Sequence, residues 1–308
     1  MRTRRIRTLA NDIGSQRQSR RPSRHDRIAK HPNAALQTKQ MIYHYCDANA
    51  FQSIIKTKQV WLTDITKLND TSEYDSGFDI VMEVLEEKGI LDPHALQDIT
   101  AYSSNDDNHI LIGCFSKEGD SGTQWRLYAD DSRGLSIGFD ENDIANFNLF
   151  NRYTDNDFKP IYSSVKLYEV NYDKQDFSST VSKFIDEMTR NNPKLRNKLL
   201  AVGLRRLAAI YKDKFFIDER EVRAVVETDG KGTDNYTIDE RINAYKETAR
   251  YHKLLTSFDE LNAIKEVIIG PNCQFTENDV AKILSECGLQ EVLIRYSSGR
   301  GRYRTVSK

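Results

Sequence analysis

Short strand-like segments recur between Met41 and Ser298, and they constrain the fold of this chain more than any other feature. The early segments are MIYHYC, VWLTD, HILIGCFS and LSIGF, and helical patterns separate them. The late segments, HKLLTSF, IKEVIIGPN and VLIRYSS, follow one another closely, with one short helix before the last. This order predicts a single α+β domain with a mixed, mainly antiparallel sheet and peripheral helices, rather than a doubly wound parallel sheet.

Capping residues and helical spacing predict the helices around the sheet. Asp47 is a predicted N-cap for a helix that continues to Lys58, with apolar residues on one side. Further helices are predicted over residues 71–89, 93–102, 140–147 and 276–287, and two more over 176–213, broken near 191–193.

The first 39 residues differ in charge from the rest of the chain. They contain nine Arg and two Lys against two Asp, a net charge of +9, and the whole chain carries −1, which leaves −10 for the remainder. A segment with so few apolar residues cannot offset the entropy lost on ordering, so residues 1–39 are predicted to be a disordered basic arm. The arm would bind nucleic acid or another polyanion, and a solubilising tail is the alternative. A basic tail at 299–308 follows the predicted domain at 40–298.

Cysteine usage and hydropathy indicate the compartment. Four cysteines lie far apart and form no CxxC pair, so we expect reduced thiols rather than a disulfide or a metal site. No apolar run approaches the roughly 20 residues that span a bilayer. The N-terminus lacks the apolar segment of a secretory signal. We therefore expect a cytoplasmic protein without a membrane partner.

Familiar nucleotide and metal motifs are absent from the sequence, namely GxGxxG, GxxxxGK[ST], HExxH and paired zinc ligands. One polar group, Asn69, Asp70 and Glu73, lies at a predicted helix start, where helix capping explains it most simply. The alternative is a divalent-metal site that uses Asp70, Glu73 and Glu221, as in a nuclease-like enzyme. We favour the prediction without a metal.

The stretch 215–226, FFIDEREVRAVV, is the main candidate for chemistry. Alternate residues of a strand share a face, so Glu219, Glu221 and Arg223 would point one way and Val222, Ala224 and Val226 the other. If the charged face is wet, it is an ordinary Glu–Arg surface. If it is buried, it holds a carboxylate beside an arginine in a cleft, where it can stabilise positive charge or bind a ribose hydroxyl.

A second candidate group is aromatic. His44 and Tyr45 lie in MIYHYC, Trp61 in VWLTD, and Trp125 and Tyr128 in WRLYA, which we expect to be a strand or a strand end. Such residues usually belong to the core. Because both tryptophans adjoin polar loops, the alternative is a stacking site for a base or a nicotinamide ring.

Six motifs in a fixed order carry a family resemblance. They are YHYC, VWLTD, LNDTSEYD, CFSKEGDSGTQWRLYADDSRGLSIGF, FIDEREVRAVV and IKEVIIGP. Together they resemble the bacterial family catalogued as domain of unknown function 2971, over roughly residues 41–272. This resemblance implies a fold family without an assigned activity.

A looser resemblance implies an activity. A His-aromatic strand, a helix and a short aromatic strand are similar to the entry of ADP-ribosyltransferases with a His–Tyr–Glu arrangement, and such a core would use NAD as co-substrate. By this resemblance His44 contacts the NAD ribose, and Trp61 or Tyr128 stacks on the nicotinamide. Tyr45 and Trp125 would belong to the same cofactor site.

The same resemblance assigns the carboxylates. Glu221 would be the catalytic residue, Glu219 would complete a Glu-x-Glu spacing, and Arg223 would hold Glu221 in the cofactor site. The expected function is an NAD-consuming enzyme, a bacterial toxin or antiphage effector that modifies a protein or nucleic-acid acceptor. The alternatives are a metal-dependent nuclease-like enzyme and a non-catalytic polyanion-binding module.

Overall fold

The computed structural model of the protein describes residues 40–68, 72–90, 109–148, 165–191, 196–228, 239–242, 246–258 and 260–302. All the described residues belong to one compact unit. The predictions made for the arm 1–39 and for a helix over 93–102 lie outside the described residues, as does the end of the basic tail.

Twelve strands lie within the described residues. They are β1 (Met41–Cys46), β2 (Gln59–Asp64), β3 (His109–Ser116), β4 (Leu135–Asp140), β5 (Lys166–Glu169), β6 (Glu221–Thr228), β7 (Asp239–Ile242), β8 (Thr248–Leu255), β9 (Ser257–Phe258), β10 (Leu261–Asn262), β11 (Ile264–Ile269) and β12 (Leu293–Tyr296). Ten of them form one sheet, and β9 pairs with β10 separately. The β11–β12 pair is parallel, and the other pairs of the large sheet are antiparallel.

The large sheet branches at β3. One edge of β3 pairs with β6 along its whole length, and β6 carries β5 on its far side. The other edge is shared, because Ser116 pairs with Tyr43 of β1 whereas Leu111 and Ile112 pair with β2. From there one branch continues as β1–β4–β11–β12 and the other as β2–β8–β7.

Helices cover both faces of the sheet. They are α1 (Ala48–Thr57), α2 (Ser72–Glu87), α3 (Gly122–Tyr128), α4 (Glu141–Asn148), α5 (Lys174–Asn191), α6 (Arg196–Ala208) and α7 (Glu277–Glu286). The first core lies between one sheet face and α1, α4 and α7, and it contains Phe51 and Val222. The second core lies between the opposite face and α2, α5 and α6, and it contains Ile112 and Leu204. The predicted α+β domain with a mixed, mainly antiparallel sheet and peripheral helices is confirmed.

Local sequence signals explain several of these elements. The Asp47 carboxylate accepts hydrogen bonds from the backbone N–H groups of Asn49 (2.8 Å) and Ala50 (2.7 Å) and so begins α1. Thr276 and Asp279 form a capping box that begins α7. All four cysteines are free thiols. No helix in the described part of the chain is long and apolar enough to cross a membrane.

Two local predictions were wrong. Trp125–Tyr128 of the WRLYA segment are helical and form the end of α3, because Trp125 packs onto Tyr45 of β1 and this tertiary contact outweighs the β preference of the aromatic residues. Glu219 is not in a strand, because it ends a 3₁₀ helix over Lys214–Glu219, and β6 begins two residues later.

Candidate functional site

The two glutamates of FFIDEREVRAVV lie on different elements and still converge. Arg220 between them has a left-handed backbone with φ of 46°, which turns the chain from the 3₁₀ helix into β6. Lys212, just after α6, reaches both carboxylates, with Nζ 2.7 Å from Oε2 of Glu219 and 3.5 Å from Oε2 of Glu221. Lys212, Glu219, Glu221 and Arg223 are all buried, and we call them the charge cluster.

Arg223 fixes Glu221. Its Nε donates to Oε1 at 2.9 Å and its Nη2 to Oε2 at 3.0 Å, while its Nη1 donates to the Ala209 carbonyl at 2.8 Å. Burial alone would raise the pKa of Glu221, but the charges of Arg223 and Lys212 outweigh it and lower this pKa to about 2. Glu221 therefore stays ionised, and both of its oxygens are already bound.

Glu219 is buried as well, but its partner Tyr128 is partly exposed. The Tyr128 hydroxyl donates to Oε1 of Glu219 at 3.0 Å, and the Tyr128 side chain is 40% exposed. Burial of the hydroxyl raises the pKa of Tyr128, so it remains a donor. The Glu219 backbone is fixed as well, because its carbonyl accepts from Ser116 Oγ at 2.7 Å and from Gln124 Nε2 at 3.3 Å.

A second tyrosine approaches the charge cluster from another side. The Tyr172 hydroxyl accepts a hydrogen bond from the Glu221 backbone N–H at 2.9 Å, and burial raises the pKa of Tyr172 to about 12. Tyr172 also lines a depression of about 500 Å³, whose other walls are Glu169, Val170, Asn171, Asp173, Asp176, Lys214 and Ile217.

Lys212, Tyr172 and Gln124 are not among the site residues predicted from the sequence. Lys212 is brought in by a backbone hydrogen bond to Asn171 at 3.1 Å, and Tyr172 follows β5, which pairs with β6. The sequence signal for Tyr172 is the alternating strand pattern of residues 165–173 (VKLYEVNYD), which would place Tyr172 near Glu221 only if the pairing of this strand with β6 were known.

His44 does not join the charge cluster. Directly paired residues of neighbouring strands share a face. Ser116 pairs with both Tyr43 and Glu221, so these three side chains lie on one face. His44, next to Tyr43, points to the opposite face, where its ring lies 5.8 Å from that of Phe115. His44 and Glu221 therefore do not line one pocket, contrary to the shared NAD site expected from the sequence.

The His44 ring forms a hydrogen bond between two strands of the sheet, β1 and β3. Its Nδ1 lies 3.0 Å from the Cys114 carbonyl oxygen, an acceptor, so Nδ1 carries the proton. Burial lowers the pKa of His44, which keeps the ring neutral at physiological pH.

Tyr45 and Trp125 belong to a small core of their own. Their rings meet edge to face with centroids 4.8 Å apart, and both residues are buried. The Tyr45 hydroxyl donates to the Glu118 carbonyl at 2.6 Å, and the Trp125 indole N–H donates to Asp120 at 2.7 Å. Packing leaves no face of either ring open to a cofactor, which corrects the stacking role expected for them.

Trp61 lies in the other branch of the sheet. It contacts Tyr251 of β8 and Arg241 of β7, whereas Tyr128 contacts Glu219. Of the predicted stacking residues, the structure therefore brings only Tyr128 to the glutamates.

The metal alternative has little support from the described residues. Asn69 and Asp70 lie outside them, and for Glu73 only its place in α2 is described. Among the described residues, no group of three or more His, Cys, Asp or Glu side chains is arranged to hold a metal ion.

The fold and the site together define an α+β domain with a buried, charge-balanced cluster of two glutamates, a lysine and an arginine. Residues 124–224 match the model of a family described as "Protein of unknown function (DUF2971)". This match confirms the resemblance to that family and is shorter than the 41–272 stretch that the motifs suggested. It includes the charge cluster, Tyr128 and Tyr172. Neither a search of curated proteins nor a search of solved structures gave a match.

Proposed function

We propose that this domain is an NAD-consuming, ADP-ribosyltransferase-like enzyme whose reactive carboxylate is Glu219. The observation that carries the proposal is the contact between Glu219 and the half-exposed Tyr128, which links a buried carboxylate to the surface through one hydroxyl. The activity itself comes from the sequence resemblance, in which Glu221 is the catalytic residue and Glu219 completes a Glu-x-Glu spacing.

The roles of the two glutamates are exchanged relative to the sequence hypothesis. Arg223 binds both oxygens of Glu221, so Glu221 is a positioning residue that keeps a fixed negative charge beside Lys212. Glu219 is held by Tyr128 and Lys212, each through one contact to one oxygen. A substrate hydroxyl can replace the Tyr128 hydroxyl with little rearrangement of the cluster.

Cleavage of the N-glycosidic bond of NAD is favoured by a negative group such as the Glu219 carboxylate near the ribose. When the N-glycosidic bond of NAD breaks, nicotinamide leaves with the bonding electron pair and positive charge develops on the ribose. A preorganised carboxylate stabilises that charge. The acceptor, water or a side chain or base, then bonds to the ribose carbon and releases a proton. The exposed ring of Tyr128 offers a surface on which the nicotinamide can stack.

His44, Tyr45, Trp61 and Trp125 take no part in this proposal, because none of them lies at the charge cluster. The nuclease-like alternative is less well supported, since Lys212 and Arg223 already occupy the carboxylate oxygens that a divalent cation would need.

The direct test uses the full chain with NAD labelled in the adenosine ribose, with protein and oligonucleotide acceptors present. Nicotinamide release and label transfer are both measured. We expect Glu219→Gln to lower the rate roughly 100-fold or more and Tyr128→Phe roughly ten-fold, because each removes a group from the developing charge or from its support. Glu118→Gln, at an exposed glutamate, is the matched control and should keep full activity.

Unchanged NAD in the presence of folded wild-type protein would overturn the proposal. A toxin or defence role adds an expectation in bacterial cells, where expression of the wild-type chain should deplete NAD and stop growth while Glu219→Gln should not.

A further inference from the structure

The outer strands of the second branch carry an exposed aromatic pair. The rings of Trp61 in β2 and Tyr251 in β8 stack with centroids 4.3 Å apart and planes inclined by 27°. Tyr251 is almost fully buried, whereas Trp61 is 39% exposed. An exposed tryptophan on a rigid strand with a second ring beneath it offers a preordered stacking surface, since its orientation does not have to be fixed on binding.

An arginine lies beside this pair. The Arg241 guanidinium is 5.3 Å from the centre of the Trp61 ring, and its Nη2 donates to Thr63 Oγ1 at 3.1 Å. Among the described residues, no carboxylate lies within ion-pair distance of Arg241. Lys253, which pairs with Trp61 in the β2–β8 ladder, lies 5.9 Å from the Tyr251 ring and is neutralised by Asp239.

Protein stability gives only a partial reason for this arrangement. An exposed cation–π contact contributes about 0.5–1 kcal/mol, and a polar side chain at position 61 would avoid leaving an indole in water. A ligand with a planar ring and a negative charge explains both features, because the ring would stack on the indole and the charge would meet Arg241.

We propose that the Trp61 face, formed by Trp61, Thr63, Arg241, Tyr251 and Lys253, binds single-stranded nucleic acid. One base stacks on the indole of Trp61, and Arg241 leaves the ring to bind the adjacent phosphate. This proposal is independent of the one made for the charge cluster, which uses α3, β6 and the 3₁₀ helix.

The shape of the site favours a polymer over a free nucleotide. Sites for small molecules are concave and bury most of the ligand. Here the indole, Arg241 and the Lys253 side chain all lie at the surface of three adjacent strands. A strand that runs across such a face gains further base and phosphate contacts beyond the first, whereas a mononucleotide does not.

The experiment measures binding of a fluorescently labelled 12-nucleotide oligouridylate or oligothymidylate to the full chain. Binding is followed by fluorescence anisotropy at several salt concentrations. We expect Trp61→Ala to weaken binding roughly 5- to 150-fold, the range for loss of one base–aromatic stack. Trp61→Phe should retain most of the affinity. Arg241→Gln should weaken binding and reduce the salt slope by about one charge.

Two matched controls lie at the opposite end of the sheet. Leu293→Ala removes an exposed apolar side chain from β12, and Lys282→Gln removes an exposed charge from α7. Both should bind like the wild-type chain. Binding should also quench tryptophan fluorescence, and this signal should disappear in Trp61→Phe, because the other tryptophan, Trp125, is buried.

Four outcomes would overturn the proposal. Three of them are no binding by the wild-type chain, equal affinity of Trp61→Ala and wild type, and equal competition by heparin, which has charge without bases. The fourth is equal affinity for uridine monophosphate, which would assign the face to a free nucleotide instead of a polymer. A circular dichroism spectrum for each variant ensures that the loss is not unfolding.

Discussion

Replacement of Glu221 by glutamine should destabilise the protein by about 3–5 kcal/mol, the cost of leaving one member of a buried ion pair without its partner. The wild-type pair has two short hydrogen bonds, and Arg223 is only 1% exposed and Glu221 5% exposed. In Glu221→Gln the guanidinium keeps its bond to the Ala209 carbonyl but loses the opposite charge.

The pH dependence provides an independent measure of the same pair. The pKa of Glu221 is about 2 in the folded protein against an ordinary value of 4.5, so the folded state binds the proton less readily than the unfolded state. The stabilisation is complete above pH 4.5 and is lost as the pH falls toward 2, and it corresponds to about 3 kcal/mol. The glutamine variant should lack this part of the acid dependence.

The assay is urea denaturation followed by circular dichroism, with free energies of unfolding from linear extrapolation and with equal m values as a condition for comparison. The control is Glu118→Gln, because the Glu118–Arg220 pair is about half exposed and should contribute at most about 1 kcal/mol. The double variant Glu221→Met with Arg223→Met should recover much of the lost stability. A loss below about 1 kcal/mol for Glu221→Gln would refute the argument that the pair is buried and tightly bound.

Three other predictions concern the scaffold and use the same denaturation assay. Burial lowers the pKa of His252 to about 4, so the free energy of unfolding should fall as the pH drops from 6.5 to 4, and His252→Asn should flatten that dependence; an equally steep dependence in the variant would contradict this. Thr276→Ala removes the N-cap of α7 and should cost about 1 kcal/mol, with no loss counting against the cap. Gly77→Ala raises helix propensity by about 1 kcal/mol and should nevertheless destabilise the protein, because the added Cβ would lie 2.2 Å from the Ala208 carbonyl oxygen; a stabilised variant would show that α2 and α6 can move apart.

The strands and the side chains on each of their faces could be predicted from the sequence where the two-residue alternation of a strand is unbroken. Val222 and Ala224 of β6 enter the first core while Glu221 and Arg223 face the other way, as the two-residue period of a strand requires. Glu219 could not be placed in the same way. The left-handed backbone of Arg220 ends the period, and no glycine at that position signals the turn.

The candidate site could be predicted only in part, because chain order does not determine on which face of a sheet a residue lies. His44 and Glu221 follow the expected order along the chain and still point to opposite faces of the sheet. The reason is the register, because Ser116 of β3 pairs with Glu221 on one side and with Tyr43, the neighbour of His44, on the other. Lys212 reaches the glutamates through packing of segments after α6 and β5, which leaves no local pattern in the sequence.

The branch point of the sheet also determines how the protein opens. Within the described residues, β3 is the strand that hydrogen-bonds to three others, namely β1, β2 and β6. Loss of β3 would therefore disconnect both branches and the β5–β6 pair from one another. Its central amides, those of Leu111 and Ile112, should therefore exchange with deuterium only through global unfolding, whereas β7 and β12 at the sheet ends can open locally. The slowest amide exchange in the protein should therefore report unfolding of the whole domain. These amides belong to β3, which pairs with β6, the strand that carries Glu221 and Arg223 of the charge cluster.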